Sequence, residues 1–255
     1  NEELPRVLED AAGNLFLSCS TTSFGSEDAD TWLLALDPGR SMLWQLALGG
    51  PRDNYILSMA EAVDGVILVG NTDHSWYSFG GQAALVVKVG SDGVVHWQKV
   101  FNSGGNDDAA AVTVGTDGAT IVAGLRSISA YDVFRHSAWF GAIDDDGGLY
   151  GVVAFGVPED FPERVTNIGE NGDSIILIGM VGELSVQDIL LARLRTGGVI
   201  DGSCDLVAAS SFDAHDSLTT WRTVDGTMHP ADGTTLPCAY EMHEVELPSW
   251  RLCPE

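Results

Sequence analysis

Glycine-marked turns recur along this chain at a nearly constant interval. They are Ala12-Gly13, Asp64-Gly65, Asp117-Gly118, Asn171-Gly172 and Asp225-Gly226, with the glycines 52, 53, 54 and 54 residues apart. An interval of this size marks a repeat architecture, in which one small unit is copied and each copy buries its apolar faces against its neighbours. Intervals of this size belong to propellers, solenoids or arrays, which narrows the architecture before any other residue is considered.

Superposed on that interval, each copy resolves into four short apolar runs separated by Gly, Asp and Ser. In the second copy the runs are residues 56–63, 66–70, 83–89 and 94–101. The first copy gives 5–9, 15–19, 32–36 and 42–48; the third gives 109–114, 120–124, 138–143 and 149–155. The fourth gives 164–168, 174–179, 189–194 and 199–206. No helical spacing of apolar residues runs through them, and β-branched residues dominate, so the runs are strands. Asp64-Gly65 is the signal of a tight hairpin with positive φ at both central residues. The middle strands, such as Ile67-Leu68-Val69 and Ile175-Ile176-Leu177-Ile178, are apolar at every position. Sheets buried on both faces demand that pattern.

Four-stranded antiparallel units of this length are the blades of a β-propeller, which fans its sheets around an axis and leaves only short edges. The expected fold is therefore all-β, with about five blades: four clear repeats over residues 1–206 and a divergent one over 207–255. Within the tail, residues 217–224, 227–229, 238–247 and 249–252 would supply the fifth unit. The alternative is that the tail is a disulfide-pinned appendage.

Leu33-Leu34-Ala35-Leu36-Asp37-Pro38-Gly39 followed by Leu43-Trp44-Gln45 resembles a blade of bacterial secreted β-propeller repeat proteins. So does Val86-Val87-Lys88-Val89-Gly90-Ser91-Asp92-Gly93 followed by His96-Trp97-Gln98-Lys99, and the trailing Gly49-Gly50 with Asp53 and Gly104-Gly105 with Asp107-Asp108 extend the likeness. The same hairpins are similar to the tryptophan-docking segment of pyrroloquinoline-quinone-type propellers, where a Trp after an Asp–Gly turn wedges adjacent blades together. The match fades from Trp44 and Trp97 to Tyr150 and Ser203. The resemblance implies a secreted or surface-attached location more than it implies a reaction.

Composition narrows the partners. Against 37 acidic residues stand 12 basic ones, of which only Lys88 and Lys99 are lysines, for a net charge of −25. Such a surface repels phosphate backbones and anionic headgroups, which excludes nucleic acid, and it favours cations and basic partners. No apolar run is long enough to span a bilayer as a helix. A chain that starts at Asn1 without a basic-then-apolar leader reads as a processed secreted protein or as a piece of a longer one. The cysteines are Cys19, Cys204, Cys238 and Cys253, none in a C-x-x-C pair, and three lie in the irregular tail. An even count in a secreted chain points to disulfide staples. The expected pair is Cys204 with Cys253, with Cys19 and Cys238 left open.

Two constellations bear on ligands. Asp53, Asp107, Asp160 and Asp213 are spaced 54, 53 and 53 apart, each just ahead of the first strand of a unit. In a ring they would form a circle of carboxylates for a divalent cation, with oxygen-only ligands that suit Ca²⁺, or for a basic ligand; no other cofactor is expected. The structural alternative, preferred because it applies to every copy, is that each Asp accepts backbone hydrogen bonds in its turn. Aromatic residues collect between second and third strands: Phe24; Trp76, Tyr77 and Phe79 beside His74; Tyr131 and Phe134. Exposed, they would stack on sugars or anchor a protein; otherwise they roof the units and pack on Trp32 and Trp139. The acidic stretches 26–30 and 144–147 lack the spacing of a calcium loop and read as solvated turns.

The six histidines are scattered, and no nucleophile elbow, zinc-protease, phosphate-loop or dinucleotide signature is present. The leading expectation is a non-catalytic, extracytoplasmic propeller that binds protein subunits or glycans, alone or as part of a surface assembly. The competing one is an enzyme, either a quinoprotein-like oxidoreductase or a sugar-active hydrolase or lyase. Fold likeness alone confers neither.

Overall fold

Alternate residues of a strand face opposite sides of its sheet, so a run apolar at every position must be buried on both sides. The second sheet meets that demand. In the computed structural model its four strands are β5 (Asn54–Ala62), β6 (Gly65–His74), β7 (Gly81–Gly90) and β8 (Val95–Asn102), all antiparallel in chain order. Val66 and Leu68 of β6 pack against the first sheet, whereas Ile67 and Val69 pack against the third. Val66, Leu68 and Val69 are fully buried and Ile67 nearly so.

The same plan precedes and follows it. The first sheet holds β1 (Glu2–Glu9), β2 (Leu15–Thr21), β3 (Asp30–Leu36) and β4 (Met42–Gly49). The third holds β10 (Ala111–Val114), β11 (Thr120–Ala130), β12 (Val133–Ile143) and β13 (Leu149–Phe155), with the short β9 (Asn106–Asp107) pairing β11. The fourth holds β14 (Glu163–Asn171), β15 (Ser174–Glu183) and β16 (Val186–Arg195). The structure describes residues 2–22, 28–49, 53–74, 81–103, 105–115, 118–130, 133–155, 163–171, 174–183, 186–195, 207–209, 213–216 and 220–223, and among these every regular element is a strand. The expected strand over 199–206 and the tail runs beyond residue 223 lie outside them.

Three apolar seams join the sheets. Leu33, Ala35 and Leu48 meet Leu68, Leu85 and Val87 in the first; Val86 and Phe101 meet Val112, Val122 and Trp139 in the second. In the third, Ala111, Ala123 and Ala138 meet Val165, Ile175 and Leu177. Each buried Val, Leu or Ile among them contributes about 1.5–3 kcal/mol over its exposed state. The close approaches between neighbouring sheets all involve the first strand of the later sheet, or β9: β5 against β1–β3, β10 against β5 and β6, and β14 against β10–β12. The full burial expected of β15 is not met at its far face, where Ile178 is 43% exposed.

Two local features depart from expectation. Ala62 pairs with Gly65, so the tip of the second hairpin is Val63-Asp64, and Gly65 is already the first residue of β6. Its glycine answers to crowding: a Cβ there would lie 2.0 Å from the Val89 carbonyl oxygen. The described parts of the tail, β17 (Val207–Ala209), β18 (Asp213–Asp216) and β19 (Thr220–Thr223), do not pair with one another. They add a fifth strand to the third, second and first sheets, against β13, β8 and β4 respectively. Outer strands carry unpaired N–H and C=O groups, and a three- or four-residue segment is enough to satisfy part of that edge.

Candidate functional site at the loop end

Up-and-down strands give each sheet two unlike ends. One end carries the short turns around residues 10–14, 37–41, 63–64, 90–94, 115–119 and 144–148. The other carries the connections β2–β3, β6–β7, β11–β12 and β15–β16 and the crossings from β4 to β5 and from β8 to β9.

The turn end is built for cohesion. All of these turns but 63–64 close with a pair of backbone bonds, such as Gly90 N–H to the Val94 carbonyl and Gly93 N–H to the Gly90 carbonyl, 2.8 and 2.9 Å. Acidic side chains complete them: Asp10 Oδ1 accepts from the Ala12 and Asn14 amides, and Asp144 Oδ1 from the Asp146 and Gly148 amides. The 144–147 stretch is therefore a self-satisfied turn. Tryptophans then weld sheet to sheet. Trp44 Nε1–H donates to the Ser91 carbonyl and Trp97 Nε1–H to the Asp145 carbonyl, both at 2.8 Å. Each ring lies on a glycine of the next turn, where a Cβ on Gly93 or Gly147 would come within 2.9 or 3.0 Å of it. Lys88 Nζ lies 3.2 Å and His96 Nδ1 3.5 Å from the Asp64 carboxylate at this same end.

The loop end is polar below its rim. Asp30, Thr31, Asn54, Thr72, Asp107 and Asp108 are all buried there. Asp53 Oδ1 accepts the Ala29 amide at 2.8 Å and Oδ2 accepts the Tyr55 hydroxyl at 3.2 Å, so its carboxylate ties the start of the second sheet to the first. One interval on, the same bond is made by an amide: Gln82 N–H donates to Asn106 Oδ1 at 2.9 Å. Residue 82 lies 53 after residue 29, and residue 106 lies 53 after residue 53. Asp107 is thus the counterpart of Asn54 and not of Asp53, and the spacing of 54 between the two acids joins unlike positions.

Asp107 is 1% exposed. Its Oδ2 accepts the Ser103 amide at 2.6 Å and its Oδ1 the Ser103 hydroxyl at 2.7 Å. Burial pushes its carboxyl up from 3.8 to about 6, against the opposing pull of the Ser103 bonds and of Arg126, while Asp108 adds to the rise. Arg126 stands directly opposite Asp107 in the β9–β11 pairing, as Thr72 stands opposite Asn54 in the second sheet. Next along, Asp108 exchanges bonds with Leu125 through its own amide and through Oδ1, and its carbonyl accepts Trp139 Nε1–H at 3.0 Å. Among the described residues no group of three His, Cys, Asp or Glu side chains is placed to hold a metal ion.

His74 closes β6 opposite Gly81, and Phe134 is the second residue of β12, opposite Ser129, so both backbones stand at the loop end. Asp213 begins β18 opposite Asn102. Phe24, Trp76, Tyr77, Phe79, Tyr131, Asp160, Cys204, Cys238 and Cys253 lie outside the described residues. Cys19 is half-buried on β2 opposite Trp32. Sequence reasoning missed Ser103, Asn106, Asp108 and Arg126. Aligning on the strict interval of 53 would have brought Asn54 over Asp107 and Thr72 near Arg126. No helix among the described residues is long and apolar enough to cross a membrane. Compared with known proteins, the chain matches no family model and no curated protein, so its own residues carry the functional reading.

Proposed function

We propose that this protein is a non-catalytic, extracytoplasmic β-propeller that binds a protein or glycan partner through its loop end, as a structural or recognition subunit. The observation that carries the reading is the unlike construction of the two ends. At one end short, self-bonded turns and docked tryptophans leave little to offer a partner. At the other, the β2–β3 and β6–β7 connections are longer and leave from a rim whose buried polar groups fix the strand starts. Loops held on a rigid scaffold are where recognition residues collect. The radial arrangement draws its support from the close approaches, which concentrate on the first strand of each later sheet, as in a fan. The acidic surface favours a neutral or basic partner.

A glycan array and a pull-down with the full chain test the reading. Replacing Trp76, Tyr77, Phe79, Tyr131 and Phe134 singly by Ala should weaken the captured interaction by about tenfold or more at the anchors, the usual cost of losing an aromatic hot spot. Val63→Ser, a change at a residue 96% exposed on the opposite end, should leave it unchanged. Loss with Val63→Ser but not with the aromatic variants would move the site, and turnover of a sugar substrate by the pure protein would end the non-catalytic reading.

A further inference from the structure

Each of the first three sheets ends in an outer strand, and the tail covers the same stretch of each. β19 lies against residues 46–49 of β4, β18 against 99–102 of β8 and β17 against 153–155 of β13, all antiparallel. These stretches are equivalents. Leu48, Phe101 and Phe155 stand opposite Thr31, Ala84 and Ala138 of the third strands, in steps of 53 and then 54 residues. The segments laid on them are not equivalents: Val-Ala-Ala, Asp-Ala-His-Asp and Thr-Trp-Arg-Thr share no pattern and begin at 207, 213 and 220. What recurs is the receiving edge, whose N–H and C=O groups any extended backbone satisfies. We propose that these edges are strand-acceptor sites at which the tail of a second copy takes the place of the chain's own, giving an exchanged dimer. The inference is independent of the loop-end binding reading.

One tail strand already sits away from its own sheet. β17 (Val207–Ala209) lies 54 residues after 153–155, so the interval assigns it to the outer strand of the fourth sheet, with Ala209 opposite Ala192 of β16. It pairs with β13 instead, and among the described strands β16 is bonded to β15 alone. The two copies of the segment meet antiparallel about Ala154 and Ala208, with Val153 opposite Ala209 and Phe155 opposite Val207. An outer-strand segment of one unit is thus seated on the outer edge of another. Nothing in that pairing requires both units to belong to one chain.

A second copy is the partner that fits, because its tail has the same sequence and remakes the same pairs, so exchange loses no contact. The chain's own tail competes only through its tether, which amounts to an effective concentration on the order of millimolar. Chains folded together near that concentration therefore share tails between copies. Each tail strand makes only three or four residue pairs, so its release is a local opening that leaves the strands of each sheet in place. The net charge of −25 on each copy opposes the dimer, and added salt shortens the reach of that repulsion.

Lys99 stands opposite Asp216 in the β8–β18 pairing and is one of two lysines in the chain. A carbodiimide, which joins an amine to a carboxylate without a spacer, therefore reports whose tail lies on β8. Equal amounts of unlabelled and nitrogen-15-labelled full chain are unfolded, mixed and refolded at about 1 mM in about 0.5 M NaCl. Monomer and dimer are then separated by size, cross-linked and digested for mass spectrometry. The monomer should give Lys99–Asp216 linked peptides of a single isotope. In the dimer about half of the linked peptides should join unlike isotopes, because unlike copies make up about half of the pairs in an even mixture. A protein that stays monomeric throughout, or a dimer whose linked peptides are all of one isotope, would overturn the exchange. Absence of the Lys99–Asp216 link from the monomer would overturn the acceptor edge itself.

Discussion

Asn54 and Asp107 hold one place in two successive units, and the difference between an amide and a carboxyl there is a difference in what burial costs. Asn54 is fully buried, with a backbone carbonyl that accepts the Thr31 hydroxyl at 2.9 Å and with Thr72 opposite. Asn54→Asp would place a carboxylate in that setting without an arginine to face it. Breaking the compensation of a buried charge costs on the order of 3–5 kcal/mol. Denaturant unfolding should therefore show Asn54→Asp strongly destabilised at pH 8 and much less so near pH 4, where the new carboxyl is neutral. Adding Thr72→Arg rebuilds the pairing of the third sheet, and the double variant should recover at least about 1 kcal/mol at pH 8 by coupling between the two sites. Equal losses at both pH values, or no coupling, would separate the two positions and with them the alignment of Asn54 with Asp107.

At the scale of elements, the welds run in one direction: Trp44 of the first sheet docks on the second, and Trp97 of the second docks on the third. The receiving turn places a glycine under the ring, Gly93 at φ 81° and Gly147 at φ 84°. Arg40 occupies the matching place in the first sheet at φ 68°, a left-handed conformation unusual for a residue with a side chain. A ring could not rest there as it does on Gly93. Trp97→Phe should cost about 1 kcal/mol, the loss of one hydrogen bond with the ring contact kept. Trp97→Ala should cost about 3 kcal/mol, since the packing on Gly147 goes with it. Equal losses for both variants in a chemical denaturation series would mean that the bond, and not the ring, holds the sheets.

That hierarchy also explains what could be read in advance. Strands, their order within each sheet and the docking tryptophans were legible because apolar runs and turn residues repeat with the unit. The fine register was not. Acid and amide trade places between the units, Asp53-Asn54 in one and Asn106-Asp107 in the next, so counting from acid to acid paired Asp53 with Asp107. Nor were the edge pairings of β17–β19 legible, since three or four residues carry no periodicity and their partners are backbone groups common to every outer strand. The role of Asn106 comes from a contact across sheets and that of Arg126 from the short β9 pairing, neither of which a single sequence marks.

For the whole molecule the governing quantity is charge. A net −25 opposes compaction by self-repulsion, and added salt screens it over a Debye length of about 8 Å at physiological strength. The chain counters repulsion mechanically: after the fourth sheet it returns along the outer edges of the third, second and first, tying them together through backbone bonds that salt does not weaken. Melting temperature should therefore climb with NaCl and then level off. Calcium sharpens the test. Both oxygens of Asp53 and of Asp107, and Oδ1 of Asp108, already accept hydrogen bonds from their surroundings. An ion held there would have to displace donors that fix the strand starts. Ca²⁺ and Mg²⁺ at equal concentration should then raise the melting temperature alike, because screening depends on charge and not on ionic size. A saturable increment specific to Ca²⁺ would mean that carboxylates converge on a site of the larger, more flexible geometry calcium prefers. Asp53 and Asp107 would then have to be reassigned from turn acceptors to ligands, starting from the variants Asp53→Asn and Asp107→Asn, whose loss of that increment would identify which of them binds.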